Sequence, residues 1–186
     1  VLKYDDVMNK QREVIYAERR KVLEGEDLRE HIFNMARDLV EGNIAMNVRQ
    51  SKNSSDWDMD AIKVYTNKLF GFGEDFLPEN ISSLTEESLL DHILNKAEEV
   101  YSAKEGEFGK NRFREIERVI LLKVVDSKWM DHIDAMDQLR QGIGLRAYGQ
   151  VDPVMAYQNE GFDMFEEMNH SIQEDTVKYL YHVEPA

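Results

Sequence analysis

Apolar positions recur at helical spacing along most of this 186-residue chain. Tyr4, Met8, Ile15 and Val22 are separated by 4, 7 and 7 residues, which predicts a first helix from Tyr4 to about Glu24. Gly25 stops it, and Asp27 is placed to cap a second helix reaching about Val48. Leu28, Ile32, Met35 and Leu39 share one face of that helix. SKNSSDWD at 51–58 is loop by composition, and a third helix is expected from Asp60 to Phe70. A long connection follows at 71–84, where Phe72, Phe76 and Leu77 are available to pin it to a core. Thr85-Glu86-Glu87-Ser88 opens a fourth helix over roughly 86–104, and GEFG at 106–109 is expected to end it.

The two longest patterns come last. From Lys110 to Gln141 a helix of roughly 45 Å is expected at about 1.5 Å per residue. Leu122, Val125, Trp129, Ile133, Met136, Leu139 and Ile143 form one continuous stripe on it. Over about 153–183 a second stripe answers it through Phe162, Phe165, Met168, Ile172, Thr176, Tyr179 and Val183. Two such stripes joined by a short connection predict an antiparallel helical hairpin. The connection lies within LRQGIGLRAYGQVDP, 139–153, where Gly142, Gly144 and Gly149 permit sharp turns and Tyr148 sits near the apex. Asp152-Pro153 reads as a helix restart, with Asp as N-cap and Pro at the first helical position. The expected fold is all-α: a long-helix scaffold with an antiparallel two-helix hairpin and a small inserted helical subdomain bounded near Gly25 and Gly106. No segment alternates with period two for long enough to suggest a sheet.

Composition narrows the partners. The net charge of −14 repels phosphate backbones, so nucleic acid is not an expected partner. No apolar run approaches the roughly 20 residues that a membrane span needs. The absence of cysteine excludes disulfides, thiol nucleophiles and Cys-based metal sites within the chain. VLKYDDVMNKQRE lacks the apolar core of a signal peptide, and the abrupt first and last residues suggest a piece of a longer protein.

Candidate chemistry is sparse. Asp56, Asp58 and Asp60 alternate like the start of a calcium loop, but Ala61 and Asn67 stand where such a loop needs glycine and a bidentate carboxylate. An acidic helix start is the plainer reading. Asp126, Asp131, His132, Asp134 and Asp137 crowd one helical stretch. Asp131 and Asp134 can share a face, whereas His132 is expected to point elsewhere, so a solvated or ion-paired face is favoured over a metal-dependent enzyme built on Asp131, His132 and Asp134. The sequence holds neither GxxxxGK[ST] nor GxGxxG. Arg140 and Arg146 flank the loop, either capping helix carbonyls or meeting an acidic or carbonyl-rich partner. Tyr148 is either folded back on the hairpin or displayed as a contact, the residue type being enriched among interface anchors.

Three runs carry a resemblance: YDDVMNKQREVIYAERR at 4–20, LLKVVDSKWMDHIDAMDQLRQGIGLRAYGQVDP at 121–153 and YQNEGFDMFEEM at 157–168. They closely resemble SecA, the family of motor ATPases of bacterial preprotein translocation. By that resemblance residues 1–25 and 107–186 form the helical scaffold, and 26–106, where the likeness is weaker, the helical wing. The hairpin over about 110–183, with its loop at 142–152, corresponds to the two-helix finger, also described as an intramolecular regulator of the ATPase. The resemblance implies that Leu145, Arg146, Ala147, Tyr148, Gly149, Gln150 and Val151 contact the translocating polypeptide and the SecY channel, with Tyr148 as the fingertip residue. Val151 stands where some members carry lysine. The motor domains, the preprotein cross-linking domain and a Cys/His zinc tail have no counterpart in these residues. The implied picture is a non-catalytic segment without a cofactor of its own, ATP and magnesium belonging to motor domains in cis. Its implied partners are those motor domains, the SecY channel and unfolded preprotein. Its implied place is the cytoplasm, peripherally at the inner face of the bacterial cell membrane. A free-standing helical adaptor that binds partner helices in apolar grooves is the alternative.

Overall fold

The computed structural model describes residues 2–25, 27–73, 75–146 and 152–186. Its helices are α1 (Leu2–Leu23), α2 (Leu28–Asn47), α3 (Met59–Phe70), α4 (Glu86–Phe108), α5 (Lys110–Arg146) and α6 (Pro153–His182). Short 3-10 turns occupy Ser54–Asp56 and Ser83's stretch, Ile81–Ser83. The fold is all-α, with no strand among the described residues. The chain divides into two compact units, one of residues 1–26 and 121–172, the other of 27–120 and 173–186. Helices α5 and α6 each contribute a segment to both.

Local chemistry sets the ends of the inserted helices. The Asp27 carboxylate accepts from the Glu30 backbone N–H at 3.2 Å and starts α2. Asp58 does the same for Ala61 at 3.1 Å, so α3 begins at Met59, ahead of the expected Asp60. Thr85 and Ser88 form a reciprocal capping box at the start of α4. That helix continues beyond the expected 104, through Gly106 to Phe108, and ends within the expected GEFG stop. Glycine inside a helix costs only about 1 kcal/mol, whereas Gly109 adopts φ +89° and ends the helix there. Gly71 closes α3 in the left-handed region at φ +65°, and a Cβ there would stand 3.2 Å from the His182 ring.

The core of this unit is built on aromatic edges. Phe33 and Phe113 each meet Tyr101 at 5.1 Å, and Phe70 meets Tyr181 at 4.7 Å, all in edge-to-face geometry. Phe76 is buried, and its carbonyl meets His92 Nε2 at 2.5 Å, so the 71–84 connection is pinned as its aromatics suggest. The Tyr181 hydroxyl donates to the Ala97 carbonyl at 2.8 Å, tying α6 to α4. A buried polar chain runs alongside: Tyr101 donates its hydroxyl proton to Glu117, which also receives Arg114 at 2.6 Å. Glu117 is fully buried, and burial pushes its carboxyl above the usual range.

The other unit is a three-helix assembly of α1, residues 121–146 of α5 and 153–172 of α6. His132 meets Phe165 at 5.6 Å, and Met136 lies against Gly161, so moving back along α6 moves forward along α5. That is the antiparallel hairpin expected. Helix α1 runs antiparallel to α5, as the pairs Asp5–Arg140, Gln11–His132 and Arg19–Asp126 require.

Three stripe positions differ from expectation. On α5 the core takes His132, 4% exposed, while Ile133 stays at 36%. Helical spacing allows either after Trp129, and Gln11 on α1 decides it by accepting a hydrogen bond from the imidazole. On α6 the core takes Gly161, leaving Phe162 at 60% exposure, because the Met136 side chain fills the space over the glycine. Tyr179, on the α6 segment of the other unit, is likewise exposed, while Val177 and Leu180 are buried.

Candidate functional site

The candidate site is the end of the α5–α6 hairpin and the packing that braces it. Helix α5 continues past Gln141 to Arg146 and carries Gly142 and Gly144 within it. Leu145, on its last turn, is 85% exposed. Beyond the loop, the Asp152 carboxylate accepts from the Val154 N–H at 3.0 Å and its carbonyl from the Ala156 N–H at 3.0 Å. Asp152 thus starts α6 with Pro153 in the first turn, as expected. The Arg146 side chain and residues Ala147, Tyr148, Gly149, Gln150 and Val151 lie outside the described residues.

Just below this end, Met136, Ile143 and Tyr157 are buried together, with Tyr4, Met8 and Leu139 packed on them. Tyr4 meets Tyr157 edge-to-face at 4.9 Å. Arg140 lies over the Tyr4 ring at 5.0 Å and reaches Asp5 at 3.4 Å. Its charge is therefore engaged with α1.

Deeper in the unit, one amide joins all three helices. Gln11 Oε1 accepts from His132 Nε2 at 2.7 Å, and Gln11 Nε2 donates to the Gly161 carbonyl at 3.2 Å. Trp129 stacks on the imidazole at 5.5 Å, and Phe165 closes the other side. Burial among these groups lowers the His132 pKa from the ordinary histidine value. Gln11 did not stand out in the sequence. The signal available was its position between Met8 and Ile15, at steps of 3 and 4 on the buried face of α1.

The acidic run of α5 does not converge. Asp131, Asp134 and Asp137 are exposed, and Asp126 pairs with Arg19 at 3.0 and 3.4 Å. Among the described residues no three His, Asp or Glu side chains gather to hold a metal ion. Asp58 is a helix cap that also meets Arg49 at 3.5 Å, and Asp56 accepts from the Ser51 hydroxyl at 2.8 Å. No helix of the described residues is long and apolar enough to cross a membrane.

Two open clefts flank α1. One of about 400 Å³ is lined by Asp5, Arg12, Asp137 and Arg140 around Met8 and Ile133. The other, about 600 Å³, has exposed Tyr16, Leu23 and Met130 beside Trp129. Neither brings together a nucleophile, a base and an oxyanion donor among its lining residues.

The fold defined by the described residues is all-α, with the α5–α6 hairpin braced on α1. The chain belongs to the family described as SecA Wing and Scaffold domain, which it matches over residues 1–184. It is 56% identical over its whole length to "Protein translocase subunit SecA 1" of Alkaliphilus metalliredigens, covering 21% of that protein. It is 56% identical to "Protein translocase subunit SecA" of Finegoldia magna, covering 20% of it. Against the SecA subunit of Clostridium botulinum strain Loch Maree the identity is 50%, with 22% of that protein covered. The chain thus spans about a fifth of the length of the curated relatives it matches, and it is a component of a SecA-type protein translocase.

Proposed function

We propose that this segment serves a preprotein-translocating ATPase as the rigid prong that contacts the moving chain. The α5–α6 hairpin is the two-helix finger, and its loop, with Leu145, Arg146, Ala147, Tyr148, Gly149, Gln150 and Val151, touches unfolded preprotein and the mouth of the SecY channel. The scaffold helices couple that loop to motor domains elsewhere in the full-length protein and regulate them. ATP and magnesium bind in those domains, and no residue of this chain has a role in holding them. The assembly works in the cytoplasm, peripherally at the inner face of the bacterial cell membrane.

The observation that carries this reading is the contrast along the hairpin. Its shaft is braced on α1 by Tyr4 packed on the buried Tyr157 and by a buried amide, whereas its end exposes Leu145 almost fully. A stiff shaft whose last helical turn exposes a leucine transmits displacement and offers a sequence-tolerant contact to unfolded chains. The test is Tyr148→Ala in the full-length protein. The expected result is loss of preprotein transport, with helicity and melting of the scaffold unchanged. Unimpaired transport would overturn the fingertip role.

A further inference from the structure

Gln11 lies on α1, is 8% exposed, and spends both halves of its amide on the hairpin: the oxygen on His132 of α5, the nitrogen on the Gly161 carbonyl of α6. We propose that Gln11 is a positioning residue for translocation, a clip that fixes both helices of the prong against α1 and so sets where the loop's ends, Arg146 and Asp152, are held. The inference rests on the reading of the loop given above.

The geometry supports a directional lock rather than general packing. Apolar contacts tolerate sliding, whereas a buried amide with a required donor and a required acceptor fixes both register and rotation. The Gly161 carbonyl already belongs to a helix, so the amide adds a second bond to it from outside. A Cβ at 161 would stand 3.9 Å from Gln11 Nε2, an ordinary contact, and 2.7 Å from the mobile end of Met136, so the amide's bond to the carbonyl leaves room for a methyl but not for branched bulk. The imidazole is faced by Gln11 of α1, Trp129 of α5 and Phe165 of α6, none of them charged. With Gln11 Oε1 able only to accept, Nε2 of His132 is held as the protonated nitrogen.

The lever is long. From His132 to Arg146 the helix rises about 21 Å, so a tilt of about 10° at the clip moves the loop by about 4 Å. Nearer the loop, the Arg140–Asp5 ion pair is half-exposed at 3.4 Å, and pairs of that kind hold weakly.

The experiment uses the full-length protein with spin labels at positions 10 and 145 and no other cysteine, read by pulsed electron resonance, alongside transport per ATP hydrolysed. Wild type should give a narrow distance distribution. Gln11→Leu should broaden it and lower transport per ATP by up to about a hundredfold, the scale of a misplaced contact, with the KM for ATP unchanged. Gln11→Glu keeps the acceptor toward His132 and loses the donor toward Gly161, so its distribution and transport should fall between the two. If Gln11→Leu does not accumulate as folded protein, the comparison of Gln11→Glu with wild type carries the test. A wild-type distribution in both variants overturns the clip, whatever the outcome for Tyr148→Ala. Broadening with undiminished transport overturns the positioning role, and only an unimpaired Tyr148→Ala variant would then also remove the reading of the loop.

Discussion

The ammonium of Lys104, on α4, donates to the carbonyl of Val183 at 2.5 Å, just past the last turn of α6. The lysine is buried, and Glu184 stands 3.5 Å from the same nitrogen. A cation at a helix C-terminus satisfies an orphan carbonyl and meets the negative end of the helix dipole.

Replacing Lys104 by methionine keeps most of the buried stem and removes the charge. Thermal unfolding of the chain should show a loss of about 1–3 kcal/mol, the cost of leaving a buried hydrogen-bonding group unpaired. Unchanged melting would mean that water replaces the ammonium at no cost.

His132 should make stability pH-dependent on the acid side. Its folded pKa is lowered by burial, so below the ordinary value of about 6.5 the unfolded chain binds more protons than the folded one. The stability His132 contributes is therefore present above that pH and is lost as pH falls toward the folded pKa. The slope from one such group cannot exceed about 1.4 kcal/mol per pH unit. Melting curves between pH 7.5 and 5 should show this fall in the wild type and a flatter profile in His132→Gln.

Gly161 should discriminate between small side chains. Alanine gains about 1 kcal/mol of helix propensity and meets first the mobile end of Met136, at 2.7 Å. Gly161→Ala is therefore expected close to neutral. Gly161→Val adds branched bulk against the same buried methionine and should cost about 1–3 kcal/mol, as overpacking does. Chemical denaturation of the two variants would separate them.

Tyr148→Ala, the test of the proposed function, should impair transport by the full-length protein and leave the circular dichroism of the scaffold as it was. A melting shift comparable to a core truncation would instead place the ring inside the hairpin packing.

Most of the fold was legible because its signals are local. Asp27, Thr85 and the Asp152-Pro153 pair each begin a helix as their chemistry dictates. Errors arose where two helical positions compete for one core slot. His132 and Ile133 are adjacent, and hydropathy favours the isoleucine; only the location of Gln11 on another helix reverses the choice. Gly161 and Phe162 pose the same problem, since a glycine looks like a weakness until Met136 is seen to occupy its space. GEFG ends α4 as expected, at its second glycine: nothing at Gly106 calls for a positive φ, whereas Gly109 has one. At the loop, sequence supplied the residues and the helices supplied Leu145, Arg140 and Asp152; positions 147–151 lie outside the described residues.

The most direct measurement places a photo-reactive amino acid at position 148 of the full-length protein and stalls a secretory chain in transit. The account predicts a cross-link from 148 to the stalled polypeptide, formed only when ATP has driven the chain into the channel. Vigorous transport by that same protein, with the label joining only its own hairpin and never the polypeptide, would contradict it.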